Sequence, residues 1–141
     1  MRRRVRRDAI LVVEDHEETR AFLLRVLEGA GYPVVEAGDA IQAIEALEAR
    51  RVILVIADLA LPGLSGAVVA KTARRHNPGT KVLYISGYDR AAALAEGWLE
   101  RDDPFLQKPF DAPRLLAEVH DLLGTGEATS PSRRRRRSPG P

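Results

Sequence analysis

Carboxylate, hydroxyl and ammonium side chains recur in this chain at one kind of place, just after an apolar run. Glu14 and Asp15 follow Ala9 to Val13, Asp58 follows Val52 to Ala57, Ser86 follows Lys81 to Ile85, and Lys108 comes soon after Phe105 and Leu106. Brought together, these groups have a definite chemistry. Three crowded carboxylates repel and raise one another's pKa values unless a cation compensates them, so a divalent ion is expected. All-oxygen ligation with retained waters suits magnesium and leaves room for a phosphate oxygen. Asp58 then serves as a nucleophile toward a phosphoryl group, Lys108 pairs with one phosphoryl oxygen, and Ser86 donates a hydrogen bond to another.

What must position these groups is an alternation of short apolar runs with longer helical periods. Ala9 to Val13 reads as a buried strand. Phe22, Leu23, Val26, Leu27 and Ala30 then repeat on one helical face, with Gly31 as the stop. Val34 and Val35 form a short second strand, and Asp39 caps a helix marked by Ile41, Ala43, Ile44 and Leu47. The strongest strand, Val52 to Ala57, ends at Asp58 and the turn Leu61-Pro62-Gly63. Ser65 caps a third helix that Pro78 and Gly79 break after Asn77, and a fourth strand covers Lys81 to Ile85. A less regular helix spans Arg90 to Leu99, and Phe105 and Leu106 make a brief fifth strand. The last helix, Pro113 to Leu123, turns Leu115, Leu116, Val119, Leu122 and Leu123 toward a core before Gly124 closes it. Five strand-helix pairs imply an α/β fold with a parallel sheet, helices on both faces and right-handed crossovers. Such sheets bind ligands at the carboxyl ends of their strands.

Bulk properties agree with one compact domain. The chain has 141 residues, 45% of them hydrophobic, and no apolar run near the roughly 18 residues of a membrane helix. A soluble, cytoplasmic protein without a membrane partner is expected, because the apolar stretch after the basic N-terminus is too short for a secretory signal. The absence of cysteine excludes disulfides and thiolate zinc sites. The formal charge of +2 conceals a division: Arg2, Arg3, Arg4, Arg6 and Arg7 lie at one end and Arg133 to Arg137 at the other. Between Ala9 and Ser132 stand 12 Lys and Arg against 19 Asp and Glu, a net of −7. We expect a basic arm over 1–8, a folded domain over 9–124, and a disordered Arg/Ser/Pro-rich tail over 125–141. The arginine runs lack interleaved aromatics, so nonspecific, salt-dependent contact is the most they offer a nucleic acid.

The pattern resembles the bacterial two-component response-regulator receiver family. It is carried by Glu14-Asp15, by Asp58 with Leu61-Pro62-Gly63-Leu64-Ser65-Gly66, by Ser86-Gly87, and by Lys108-Pro109-Phe110, over about Ala9 to Gly124. The resemblance implies a flavodoxin-like, doubly wound five-stranded parallel sheet of order 2-1-3-4-5. It also implies that Asp58 takes a phosphoryl group from a histidine kinase or histidine phosphotransfer protein. Glu14, Asp15, Asp58 and the Ala60 carbonyl would hold Mg2+, Lys108 and Ser86 would sense the acyl phosphate, and Ser86 with Phe105 would form the switch. The remodelled surface of helix 4, strand 5 and helix 5 would bind a partner or form a phosphorylation-dependent homodimer. Lys108-Pro109 is similar to the family's cis peptide, a geometry accessible to an X-Pro bond. Ala60 offers no side chain to an attacking water, and Phe105 lacks a tyrosine's hydroxyl. Ser86-Gly87-Tyr88 and the run from Phe105 to Phe110 look like receivers of hybrid sensor kinases, although a stand-alone receiver acting in trans is the expectation here.

Plainer readings exist for each residue alone. Asp58 is then a turn residue, Lys108 a surface lysine, Ser86 a turn serine, and Glu14 or Asp15 a cap for the first helix. Only their coincidence argues for function. His16, His76 and His120 share no ligand spacing and read as solvated surface residues without a role. Trp98 and Tyr88 stay open between a partner surface and partial burial. Competing functions are a magnesium-dependent phosphohydrolase, disfavoured because Ala60 supplies no general acid, and a receiver-like binding module that works without phosphorylation.

Overall fold

The computed structural model describes residues 8–61 and 65–124. The N-terminal arm up to residue 7, the Pro62-Gly63-Leu64 part of the turn, and the Arg/Ser/Pro-rich tail lie outside the described residues. Strands β1 (Ala9–Val13), β2 (Val34–Ala37), β3 (Val52–Asp58), β4 (Lys81–Ser86) and β5 (Phe105–Gln107) alternate with helices α1 (Glu17–Gly29), α2 (Ala40–Ala49), α3 (Gly66–His76), α4 (Arg90–Ala95) and α5 (Ala112–Leu123). The strands form one parallel sheet in the order β2-β1-β3-β4-β5.

The near-continuous apolar runs of β1 and β3 are what burial on both faces requires, and every β1 residue is buried. Successive side chains alternate between faces. Leu11, Val13, Val55, Ala57, Val82 and Tyr84 share a core with Ala43 and Leu47 of α2 and with Val69, Ala70 and Ala73 of α3. The intervening residues Ile10, Val12, Leu54 and Ile56 are fully buried on the other face. Helix α1 packs against β1 and β2 and contributes the buried Leu23 and Leu27.

Local chemistry explains where the helices begin and end. Asp39 caps α2 by accepting from Gln42 N (2.8 Å), while Gln42 Oε1 accepts from Gly38 N (2.7 Å). Helix α1 stops as the sequence suggests: Gly31, at φ 96°, lets its N–H reach Glu28 O and that of Tyr32 reach Leu27 O.

Four local expectations are corrected. His16, read from sequence as a solvated residue without a role, occupies the N-cap of α1, and its Nδ1 accepts from Thr19 N (3.3 Å), so this histidine has a structural role. Ser65 stands at the N-cap of α3 but makes no side-chain capping bond. Strand β2 runs on through Glu36 and Ala37, because both pair with β1. Helix α4 ends at Ala95, four residues before Leu99, where Gly97 at φ 80° closes the same two-bond stop through Gly97 N to Leu94 O and Trp98 N to Ala93 O.

From Asp111 the chain forms a separate compact unit. Asp111 caps α5 by accepting from Arg114 N (3.0 Å), and Gly124 closes it. Leu115 and Val119 are buried, whereas Leu116, Leu122 and Leu123 are half-buried. Among the described residues no helix is long and apolar enough to cross a membrane.

Candidate phosphoacceptor site

Sheet register sets the site. Val13 pairs with Ala57, Asp58 with Ile85, and Ser86 with Gln107. The polar residues at these strand ends therefore arrive at one edge. Glu14 is anchored by its N–H to Ala37 O (3.0 Å), and its carbonyl accepts from Arg20 Nη1 (2.8 Å). Arg20 is held in turn by Glu36 (Nε to Oε1, 2.9 Å).

Carboxylate oxygens of Glu14, Asp15 and Asp58 lie within 4.8 Å of one another. Glu14 is 0% exposed, Asp58 7%, and Asp15 faces solvent. Lys108 Nζ reaches Asp58 Oδ2 at 2.7 Å and Glu14 Oε1 at 2.9 Å. Asp58 Oδ1 accepts from Ala60 N (2.9 Å), and Glu14 Oε2 accepts from His16 N (2.9 Å). Ser86 is buried, its Oγ accepts from Tyr88 N (3.0 Å), and its carbonyl accepts from Lys108 N (2.7 Å). The Lys108–Pro109 peptide is cis.

Burial pushes the Glu14 carboxyl above its ordinary value; the Lys108 ammonium and the His16 N–H oppose this, and the Asp58 charge adds to it. Burial also acts to lower Lys108, but the close contacts and charges of Asp58 and Glu14 outweigh it and raise its pKa.

One ammonium faces three carboxylates here, which leaves an excess of negative charge in a partly desolvated place. Glu14 Oε1 is fully buried and, although 2.9 Å from Lys108 Nζ, makes no aligned hydrogen bond. A hard divalent cation with oxygen ligands fits that donor set and that under-satisfied atom. The structure thus brings Glu14, Asp15, Asp58 and Lys108 together and places Ser86 and Ala60 beside them. Phe105 lies opposite Tyr84, half-buried, on the face of the sheet that Tyr84 shares with α3 and Ala93 of α4.

Sequence reasoning missed Arg20, His16 and Gly66. A Cβ on Gly66 would stand 2.5 Å from the Asp58 carbonyl oxygen, so α3 starts against the backbone of Asp58 itself. Gly66 stands in the motif that ends Leu64-Ser65-Gly66, but nothing local announces its steric duty. Arg20 sits one turn beyond His16 on α1, and only the packing of α1 beside β1 and β2 gives it Glu14 and Glu36 as partners.

A parallel 2-1-3-4-5 sheet with an acidic trio and a lysine at its carboxyl edge is a doubly wound α/β fold whose site suits a divalent cation and an anionic ligand. The family model of the response regulator receiver domain matches residues 10–120, and the chain belongs to that family. It is a receiver domain of a two-component system, not a classical enzyme. It is 32% identical over 114 residues to the response regulator receiver protein CpdR of Brucella abortus, covering 81% of this chain and 95% of that protein. It is 30% identical over 116 residues to the sensor kinase CckA of the same organism, covering 81% of this chain but 12% of the kinase. A response regulator receiver protein from Sinorhizobium medicae superposes with a TM-score of 0.73 at 28% identity, covering 85% of this chain and 97% of that one.

Proposed function

We propose that Asp58 is the phosphoacceptor, that Glu14, Asp15 and the Ala60 carbonyl join it in holding Mg2+, and that Lys108 and Ser86 bind the phosphoryl oxygens. The observation that carries this reading is the Lys108 ammonium 2.7 Å from Asp58 and 2.9 Å from Glu14, two members of the acidic trio. A carboxylate oxygen of Asp58 attacks phosphorus on a partner's phosphohistidine. The new P–O bond forms as the P–N bond breaks, and the imidazole leaves with the electron pair. Held by Glu14, Asp15 and Asp58, magnesium would supply charge neutralisation for the transferred phosphoryl group. Lys108 moves its hydrogen bond from Asp58 to a phosphoryl oxygen, and Ser86 turns its hydroxyl proton toward another.

The phosphodonor is a histidine kinase or histidine phosphotransfer protein, met in the cytoplasm. A cleft of about 280 Å³ beside Lys108, lined by His16, Thr19, Phe22, Pro109 and Phe110 among others, gives such a donor an apolar footing at the site's mouth. Ser86 and Phe105 together form the switch that changes the surface of α4 and β5.

Incubation with acetyl phosphate and Mg2+, followed by intact-mass measurement, tests the reading. One phosphoryl adduct should form in the native chain and none in Asp58→Asn or without the metal. Steady phosphate release without an adduct would favour a phosphohydrolase, and no reaction at all a phosphorylation-independent binding module.

A further inference from the structure

Arg90 is the first residue of α4 and is exposed, yet its side chain is committed. Its Nη1 donates to Arg101 O (3.2 Å), its Nη2 donates to Asp103 O (3.1 Å), and its Cζ lies 5.5 Å from the centroid of the Phe105 ring. The two carbonyls use the fixed fork of the guanidinium, and the ring takes its face, so one side chain ties the start of α4 to the segment that enters β5. Tyr84 pairs with Phe105 in register, and Ser86 lies two residues beyond Tyr84 on the same face of the sheet. Ser86 and the Phe105 ring therefore share one face of the sheet.

We infer that Arg90 is a positioning residue of the switch, a latch that holds Phe105 in its half-buried place until Ser86 turns toward a phosphoryl group on Asp58. This rests on the phosphoacceptor reading above. The latch contacts stabilise the unphosphorylated arrangement, so labelling through the released conformation is slowed in proportion to how rarely that conformation is populated. Loss of Arg90 therefore favours the modified state without touching the chemical groups. Lysine keeps a cation near the ring but loses the fork, so it falls between the two.

The experiment compares the full chain with Arg90→Ala, Arg90→Lys, Phe105→Leu and the Ala/Leu double variant. Amide hydrogen exchange at 101–105 is read without phosphodonor, and the acetyl phosphate labelling rate is read by intact mass. Arg90→Ala should speed exchange in that segment and label roughly fivefold faster, at the low end of coupling between sites. Arg90→Lys should be intermediate, and the double variant should label no faster than Phe105→Leu alone. Unchanged exchange would overturn the latch. Faster exchange with an unchanged labelling rate, or additive effects of the two substitutions, would reduce Arg90 to a loop tether and overturn its place in the switch. If the native chain takes no phosphate, the acceptor reading fails, while the exchange data still decide whether Arg90 holds the segment.

Discussion

Glu14 shows how one residue serves function at the expense of stability. Its carboxyl is fully buried beside two other carboxylates, and its raised pKa means the folded chain holds the proton more tightly than the unfolded chain does. Stability from this group is full below the ordinary value of 4.5 and is lost as pH rises through the folded-state value. Glu14→Gln should therefore leave the metal-free protein as stable or more stable at neutral pH, with a flatter stability-pH profile in urea titrations and a loss of most Mg2+ affinity. A less stable variant with an unchanged profile would contradict this account. Lys108 behaves differently in range: its stabilisation holds below 10.5 and disappears only in strong alkali. Gly66 carries a steric duty. Alanine is better than glycine in a helix by about 1 kcal/mol, but here its methyl would stand 2.5 Å from the Asp58 carbonyl oxygen. Overpacking of that kind costs about 1–3 kcal/mol and wins, so Gly66→Ala should lower the urea midpoint and slow labelling of Asp58 together.

At the scale of elements, two glycines at helix ends, both with open space around them, should respond to substitution with opposite sign. Gly97 ends α4 at φ 80°, where an L side chain is strained whatever the room, so Gly97→Ala should cost about 1 kcal/mol. Gly29 is the last residue of α1 and has no positive φ, and an added methyl would meet nothing within 4 Å, so Gly29→Ala should stabilise by about 0.5 kcal/mol. Thermal melts of the two variants check the contrast, and equal signs would refute it. The α4 stop also shapes the site's surroundings, since it sends the chain through Trp98 to Arg101 and Asp103, where Arg90 meets it. Tyr88 and Trp98, left open by sequence, stack edge to face with ring centroids 5.1 Å apart and both remain partly exposed.

For the whole molecule, the sheet is the device that turns distant sequence positions into one site. Glu14, Asp58 and Lys108 converge because β1, β3, β4 and β5 run parallel and in register, so a cation held by Glu14, Asp15 and Asp58 would tie the ends of β1 and β3 together. Binding there must stabilise the fold as a whole. Mg2+ at 100-fold over its dissociation constant should add about 2.7 kcal/mol to unfolding, read as a higher denaturant midpoint, with the gain lost in Asp58→Asn and Glu14→Gln. A midpoint insensitive to the metal would count against the trio as a cation site.

The alternation of apolar runs and helical periods was enough by itself to specify the strands, the parallel sheet and the polar residues at its carboxyl edge. Apolar runs such as Val52 to Ala57 demand burial on both faces, and helical crossovers are the way a parallel sheet supplies it. Short-range signals also marked Asp39 as a cap and Gly31 as a stop, since both act within four residues. Tertiary structure alone decided the rest. Arg20 on the Glu14 carbonyl, Gly66 against Asp58 and Arg90 across Phe105 depend on contacts between separate elements, and no periodicity encodes those. His16 stands at the N-cap of α1, its Nδ1 accepting from Thr19 N, while the Glu14 carboxylate lies against Lys108 and accepts from His16 N, an arrangement that depends on β5 reaching β1's end.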